Sequence, residues 1–223
     1  MKYLWTEDTG AGFHFWKLVN QLFFDNTLVI ESKESNQGLL DAVSDLKIKQ
    51  DDKYYIAFDY VVDNQDIRNK YRVLKSIAEK SEGKIIILDI ICFEYLILAF
   101  DKLVTWTGTG KADKIKIRKE ILAAVENHTI DLSKITDVKT LQYITSFKRY
   151  STERIMKSLV SEFTQNEKWS VNGALMGECW YMDCCVSEHQ NSLRCGNPEI
   201  ENGIEKMNVL IWSESIQRIL KTI

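Results

Sequence analysis

The stretch "KYLWTEDTGAGFHFW", residues 2–16, holds a short apolar run, an acidic pair, a Gly-containing turn and the start of an amphipathic segment. The run at 2–7 reads as a strand, and Phe13, Trp16, Val19 and Phe23 recur at the three-to-four spacing of a helix over 12–24. The same alternation continues downstream. "TLVIES" (27–32) reads as a strand, and 36–46 carries Leu39, Leu40, Val43 and Leu46 at helical spacing. "KYYIAFDY" (53–60) reads as a buried strand, and 64–80 repeats the helical spacing with Ile67, Tyr71, Leu74 and Ile77 before Gly83 stops it. "KIIILDI" (84–90) is dense in isoleucine, as a strand covered on both faces is, and "CFEYLILAF" begins a further helix. Strand and helix in alternation predict an α/β fold with a four-stranded, mostly parallel sheet flanked by helices.

The character changes near residue 105. "TWTGTGKADK" reads as a loop, followed by helical segments near 114–126 and 151–164 and a last amphipathic piece, "VLIWSESIQRILKTI". The expected organisation is an α/β domain over 1–105 and a mainly helical region over 106–223 that contains a Cys-rich segment at 179–195.

Composition sets the class. The 223 residues are 45% hydrophobic and 27% charged with a net charge of -3, which is ordinary for a globular chain and does not by itself advertise nucleic acid. The apolar run near 85–100 is interrupted by Asp89 and Glu94, so it reads as a buried strand and its sequel rather than a membrane span. The first residues show no signal-peptide pattern, and the expected compartment is the cytoplasm, with no membrane partner.

Acids collect at the strand ends. Glu7 ends the first strand, Asp59 ends the third with Asp63 just beyond, and Glu94 follows the fourth. In a parallel sheet the carboxyl ends share one edge, where functional groups gather. Carboxylates converging there repel one another unless a cation intervenes, and Mg²⁺ is bound by one or two carboxylates with water and phosphate oxygens. Each acid taken singly also suits a helix cap, and Asp8 and Thr9 are explained as turn and helix-cap residues.

A strand ending in Glu with a Gly-containing turn into a helix, then an Asp at a strand end two strands later, resembles the TOPRIM domain of topoisomerases, primases and OLD-type nucleases. "WTEDTGAGFHFWKLV" is similar to its first motif, with Glu7 as the glutamate, and "IAFDYVVDNQD" is similar to its Asp-x-Asp motif, with Asp59 as the first aspartate. Val61 occupies the second acidic position, and Asp63 is the nearest substitute. "IILDIICFEYLILAF" resembles a segment of RloB-like and AriB-like TOPRIM proteins from bacterial anti-phage operons, where Glu94 matches a glutamate. The resemblance implies Mg²⁺-dependent cleavage of nucleic-acid phosphodiesters, with Glu7 as metal ligand or general base, Asp59 and Asp63 as metal ligands and Glu94 as a direct ligand or a more distant support of the metal. It implies an anti-phage effector held silent by a partner ATPase. The departure at Val61 keeps a non-catalytic TOPRIM-like binding module, or a regulatory partner subunit, as the alternative.

Two other groups draw attention. "SFKRYSTERIMK" (146–157) interleaves Lys148, Arg149, Arg154 and Lys157 with Phe147 and Tyr150, which suits either a nucleic-acid backbone or a solvated helix face. Cys179, Cys184, Cys185, His189 and Cys195 fall in one short span. Cys179, Cys184, His189 and Cys195 could hold a structural Zn²⁺, and buried free thiols are the competing explanation. "TGTGK" (107–111) lacks the spacing of a phosphate loop.

Overall fold

The computed structural model describes residues 1–108, 111–164 and 209–223. Strands β1 (Lys2–Thr6), β2 (Leu28–Ser32), β3 (Lys53–Ala57) and β4 (Ile85–Ile87) alternate with helices α1 (Gly10–Phe23), α2 (Asn36–Ser44), α3 (Gln65–Lys80) and α4 (Phe93–Ala99). The expected α/β architecture is found, and the sheet is parallel throughout, in the order β2-β1-β3-β4.

Both faces of the sheet are covered, which explains its apolar strands. Side chains alternate between the faces. Leu4 and Tyr55 enter a core with Phe15, Trp16 and Val19 of α1. Trp5, Tyr54 and Ile56 enter a second core with Leu39 and Val43 of α2 and Ile67 and Leu74 of α3. The helix starts follow local chemistry. The Ser35 hydroxyl accepts the Gly38 N–H at 3.0 Å, and Asn64 Oδ1 accepts the N–H groups of Asp66 and Ile67. α3 ends at Lys80, and Gly83 turns the chain into β4 at φ +81, a conformation glycine takes without strain.

Beyond α4 come α5 (Leu103–Thr107), α6 (Ala112–Ala124), strands β5 (Val125–Glu126) and β6 (Thr129–Ile130), then α7 (Val138–Thr145), α8 (Thr152–Thr164) and α9 (Glu214–Leu220). The stretch read as a loop from 105 is helical in its first part, and α5 closes at Gly108 with φ +63. β5 and β6 form a hairpin that two-residue strands leave invisible to periodicity. Its turn, Asn127 and His128, has φ +49 and +62, as a two-residue hairpin of matching twist requires.

Ile155, Met156 and Leu159 of α8 and Ile216 of α9 share the core of Leu4 and Tyr55. Arg118 of α6 is 7% exposed and donates from Nε to the Leu98 carbonyl at 2.7 Å and from a terminal nitrogen to the Phe100 carbonyl at 2.6 Å. It thereby satisfies carbonyls at the end of α4. Among the described residues, no helix is long and apolar enough to cross a membrane.

Candidate functional site

The sheet order makes β1 and β3 neighbours, in a register that pairs Thr6 with Ala57. The residues that follow each strand therefore emerge side by side. Glu7 Oε1 accepts the Asp59 backbone N–H at 2.9 Å. Asp59 in turn accepts the Phe93 N–H at 3.4 Å, so the start of α4 is drawn to the same edge, and Glu94 in its first turn comes with it.

Asp8 belongs to this group as well. Its Oδ2 accepts the Thr6 hydroxyl at 2.7 Å, its own N–H donates back to that hydroxyl at 3.0 Å, and the Trp16 side chain also hydrogen-bonds its carboxylate. Gly12 of α1 lies directly against it, since a Cβ there would stand 2.5 Å from Asp8 Cγ. Asp8 does more than close a turn with Thr6, since it also lines the acidic cleft. Thr9 occupies the N-cap position of α1 with no side-chain cap hydrogen bond.

These four acids hold their protons unusually well. Burial pushes Glu7 up from 4.5 to about 7, with the charges of Asp8 and Glu153 adding to it against the Asp59 N–H. Burial raises Asp59 well above the usual range, followed by the charges of Glu7, Asp8 and Glu94. Burial likewise raises Asp8 and Glu94, and Lys157 acts on Glu94 in the opposite sense. Burial is the largest cause of all four shifts, and repulsion from neighbouring acids adds to it at Glu7, Asp59 and Glu94.

The cleft has a volume of about 570 Å³, and its walls include Glu7, Asp8, Asp59, Lys70, Cys92 and Glu153. Glu153, Lys70 and Cys92 were not expected from the sequence. Lys70 follows Asp66 by one turn of α3 and pairs with it at 2.5 Å, a spacing visible in the sequence. Glu153 comes from α8, and no local pattern links it to Glu7. Cys92 is a fully buried thiol, raised by burial and then by the charges of Glu94 and Asp59.

Asp63 is placed elsewhere. Its Oδ2 accepts the Thr152 backbone N–H at 2.6 Å, at the start of α8, and it does not line the cleft. Val61 is 2% exposed and packs in the core of α2 and α3. Lys148 and Arg149 lie in the turn before α8, and Arg154 and Lys157 lie on α8 itself, all four exposed. Cys179, Cys184, Cys185, His189 and Cys195 fall outside the described residues.

Among the described residues, no three His, Cys, Asp or Glu side chains are gathered tightly enough to hold an ion unaided. The donor chemistry nonetheless fits a hard divalent cation. Glu7, Asp8 and Asp59 offer carboxylate oxygens to the cleft, Glu94 adds its charge without lining it, and water and phosphate oxygens commonly complete a Mg²⁺ shell. Comparisons with protein-family models, curated proteins and solved structures find no match.

Proposed function

We propose that the chain is a TOPRIM-like, Mg²⁺-dependent nuclease that cleaves phosphodiesters of DNA or RNA. One observation carries the reading: the Asp59 backbone N–H donates to Glu7 Oε1 at 2.9 Å, which sets the two residues side by side on the carboxyl edge of the sheet, among further acids whose pKa burial raises. Mg²⁺ bound there would supply positive charge to the phosphate oxygens. Glu7, Asp59 and Asp8 would hold it, with Glu94 as a more distant support. Glu7 would serve either as one of these ligands or as the general base that takes a proton from the attacking water. Lys70, on the cleft wall, can receive a phosphate oxygen, and Lys148, Arg149, Arg154 and Lys157 can follow the backbone of the same strand. The likeness to RloB-like and AriB-like proteins extends the reading to an anti-phage effector silenced by a partner ATPase.

The test is cleavage of labelled DNA and RNA by the purified protein in Mg²⁺ or Mn²⁺. Glu7→Ala and Asp59→Ala are each expected to abolish cutting. If neither change alters it, the cutting arises elsewhere and the proposal fails.

A second reading rests on Val61. The position that matches the second aspartate is apolar and buried, which favours a binding module or regulatory partner subunit. Calorimetry showing neither Mg²⁺ nor Mn²⁺ binding, with no cutting even after addition of the neighbouring gene product, would favour it. Structural zinc on Cys179, Cys184, His189 and Cys195 is part of the same proposal. Elemental analysis should find about one zinc per chain, and a zinc-free protein rules it out.

A further inference from the structure

The loop after β3 is fastened to the C-terminal region on both sides. On one side His128, in the β5–β6 turn, faces the Tyr60 carbonyl with Nδ1 at 3.0 Å, and its own carbonyl accepts the Val62 N–H at 3.1 Å. On the other side Asp63 Oδ2 accepts the N–H of Thr152, a fully buried residue. Thr152 is itself locked to the hairpin. Its hydroxyl accepts the Ile130 N–H at 3.1 Å and lies 3.2 Å from the Thr129 hydroxyl. Glu153, the next residue, stands on the cleft wall, and its charge reaches both Glu7 and Glu94.

We infer that Asp63 is a positioning residue rather than a metal ligand: by accepting the first helical N–H of α8, it sets Glu153 against the acidic cleft and makes the C-terminal region part of the site. The inference rests on the proposed metal-dependent reading of that cleft. A helix start offers unpaired N–H groups, and Ser151 Oγ takes one of them, from Arg154, at 3.1 Å. Asp63 takes that of Thr152 from across the fold. Without this bond the first turn of α8 has one fixed point fewer, and Glu153 is the side chain that moves with it. Supports of this kind commonly change metal affinity about 10- to 100-fold without touching the ion.

The two roles predict different responses to one isosteric change. Asparagine keeps an oxygen that can accept the Thr152 N–H, but it is a poor replacement for a carboxylate ligand. Mn²⁺ binding by calorimetry to the full chain, with amide exchange over 151–156 measured on the same samples, separates them. The expected result is that D63N binds Mn²⁺ within about 2-fold of wild type, while D63A and E153Q each lose about 10-fold. Exchange over 151–156 should quicken in D63A alone. If D63N loses as much affinity as a carboxylate ligand would, Asp63 is itself a ligand and the inference falls. Mn²⁺ binding to D63A at the wild-type level also overturns it. Should D63A not fold, the D63N and E153Q measurements still decide. A wild-type chain that binds no Mn²⁺ defeats the metal reading itself, a result distinct from either outcome at Asp63.

Discussion

Glu7 and Asp59 are joined by a hydrogen bond in which the backbone N–H of Asp59 donates to Glu7 Oε1 at 2.9 Å. The contact joins the ends of two adjacent parallel strands, so the sheet register sets the spacing of the acids. Thr6 pairs with Ala57, so Glu7 comes level with Phe58, and Asp59 lies one residue further along the chain.

The acids make stability depend on pH. Glu7 is raised in the folded state from its ordinary 4.5 to about 7. A group raised in this way contributes stability that is complete below 4.5 and is lost as pH climbs through about 7. The shift corresponds to about 3 kcal/mol, and Asp8, Asp59 and Glu94 move in the same direction. The melting temperature should therefore fall as pH rises from about 5 to about 8. Glu7→Gln, which cannot ionise, should melt higher than wild type at the upper end and show a shallower dependence. Mn²⁺ should restore the wild-type loss. Parallel pH profiles for the two proteins would show that Glu7 is not the group responsible.

Gly12 permits α1 to pass directly over Asp8. An added Cβ would stand 2.5 Å from Asp8 Cγ, too close to be absorbed without movement. Gly12→Ala should destabilise the fold by about 1–3 kcal/mol through overpacking, and should weaken Mn²⁺ binding by displacing the Asp8 carboxylate. Helix propensity acts in the opposite sense, by about 1 kcal/mol. A denaturant midpoint above that of wild type would mean that Asp8 yields freely and has no fixed place at the site.

Much of the sheet is legible in the sequence because each strand is buried on both faces, and "KIIILDI" leaves few other readings. Glu7 and Asp59 are legible for the same reason: each ends an apolar run, and parallel pairing brings such ends to one edge. Asp63 misleads because closeness in sequence to Val61 suggests closeness in space. The chain turns after Val61 enters the α2–α3 core, and Asp63 leaves toward α8. Asp8 is legible as a turn residue through its bond to Thr6, but its burial depends on the long-range packing of α1. Glu153 has no local signal, because only tertiary packing brings α8 to the cleft. The hairpin escapes notice because two-residue strands are too short to display a period.

Arg118 ties α6 to the end of α4 through two carbonyls, those of Leu98 and Phe100. Burial lowers its pKa, with the charge of Asp101 opposing, so its guanidinium is held by these bonds at a desolvation cost. Arg118→Met keeps the apolar stem and takes the guanidinium from the Leu98 carbonyl, while the Phe100 carbonyl still accepts the Leu103 N–H at 3.1 Å. The expected loss is about 1–3 kcal/mol for a carbonyl left unpaired, read as a shift in the urea midpoint. Arg118→Lys should recover part of it, since an ammonium can reach one carbonyl more readily than two. An Arg118→Met protein as stable as wild type would mean that water replaces the guanidinium without penalty.

The exposed cations on and before α8 yield the sharpest test of nucleic-acid binding. Glu153 and Lys157 are one helical turn apart on α8, with Glu153 on the cleft wall and the charge of Lys157 reaching Glu94. A strand passing from Lys148 and Arg149 along α8 would therefore arrive at the acids. Each phosphate contact that releases a counterion contributes about 0.7 to the salt slope of single-strand binding and about 0.9 for a duplex. Single alanine substitutions at Lys148, Arg149, Arg154 and Lys157 should each reduce the slope by up to about that amount, with similar losses of affinity across unrelated sequences. Fluorescence anisotropy at several salt concentrations measures both quantities. A quadruple variant with an unchanged slope would identify the four as a solvated helix face and move the search to the cations of α3, beginning with Lys70.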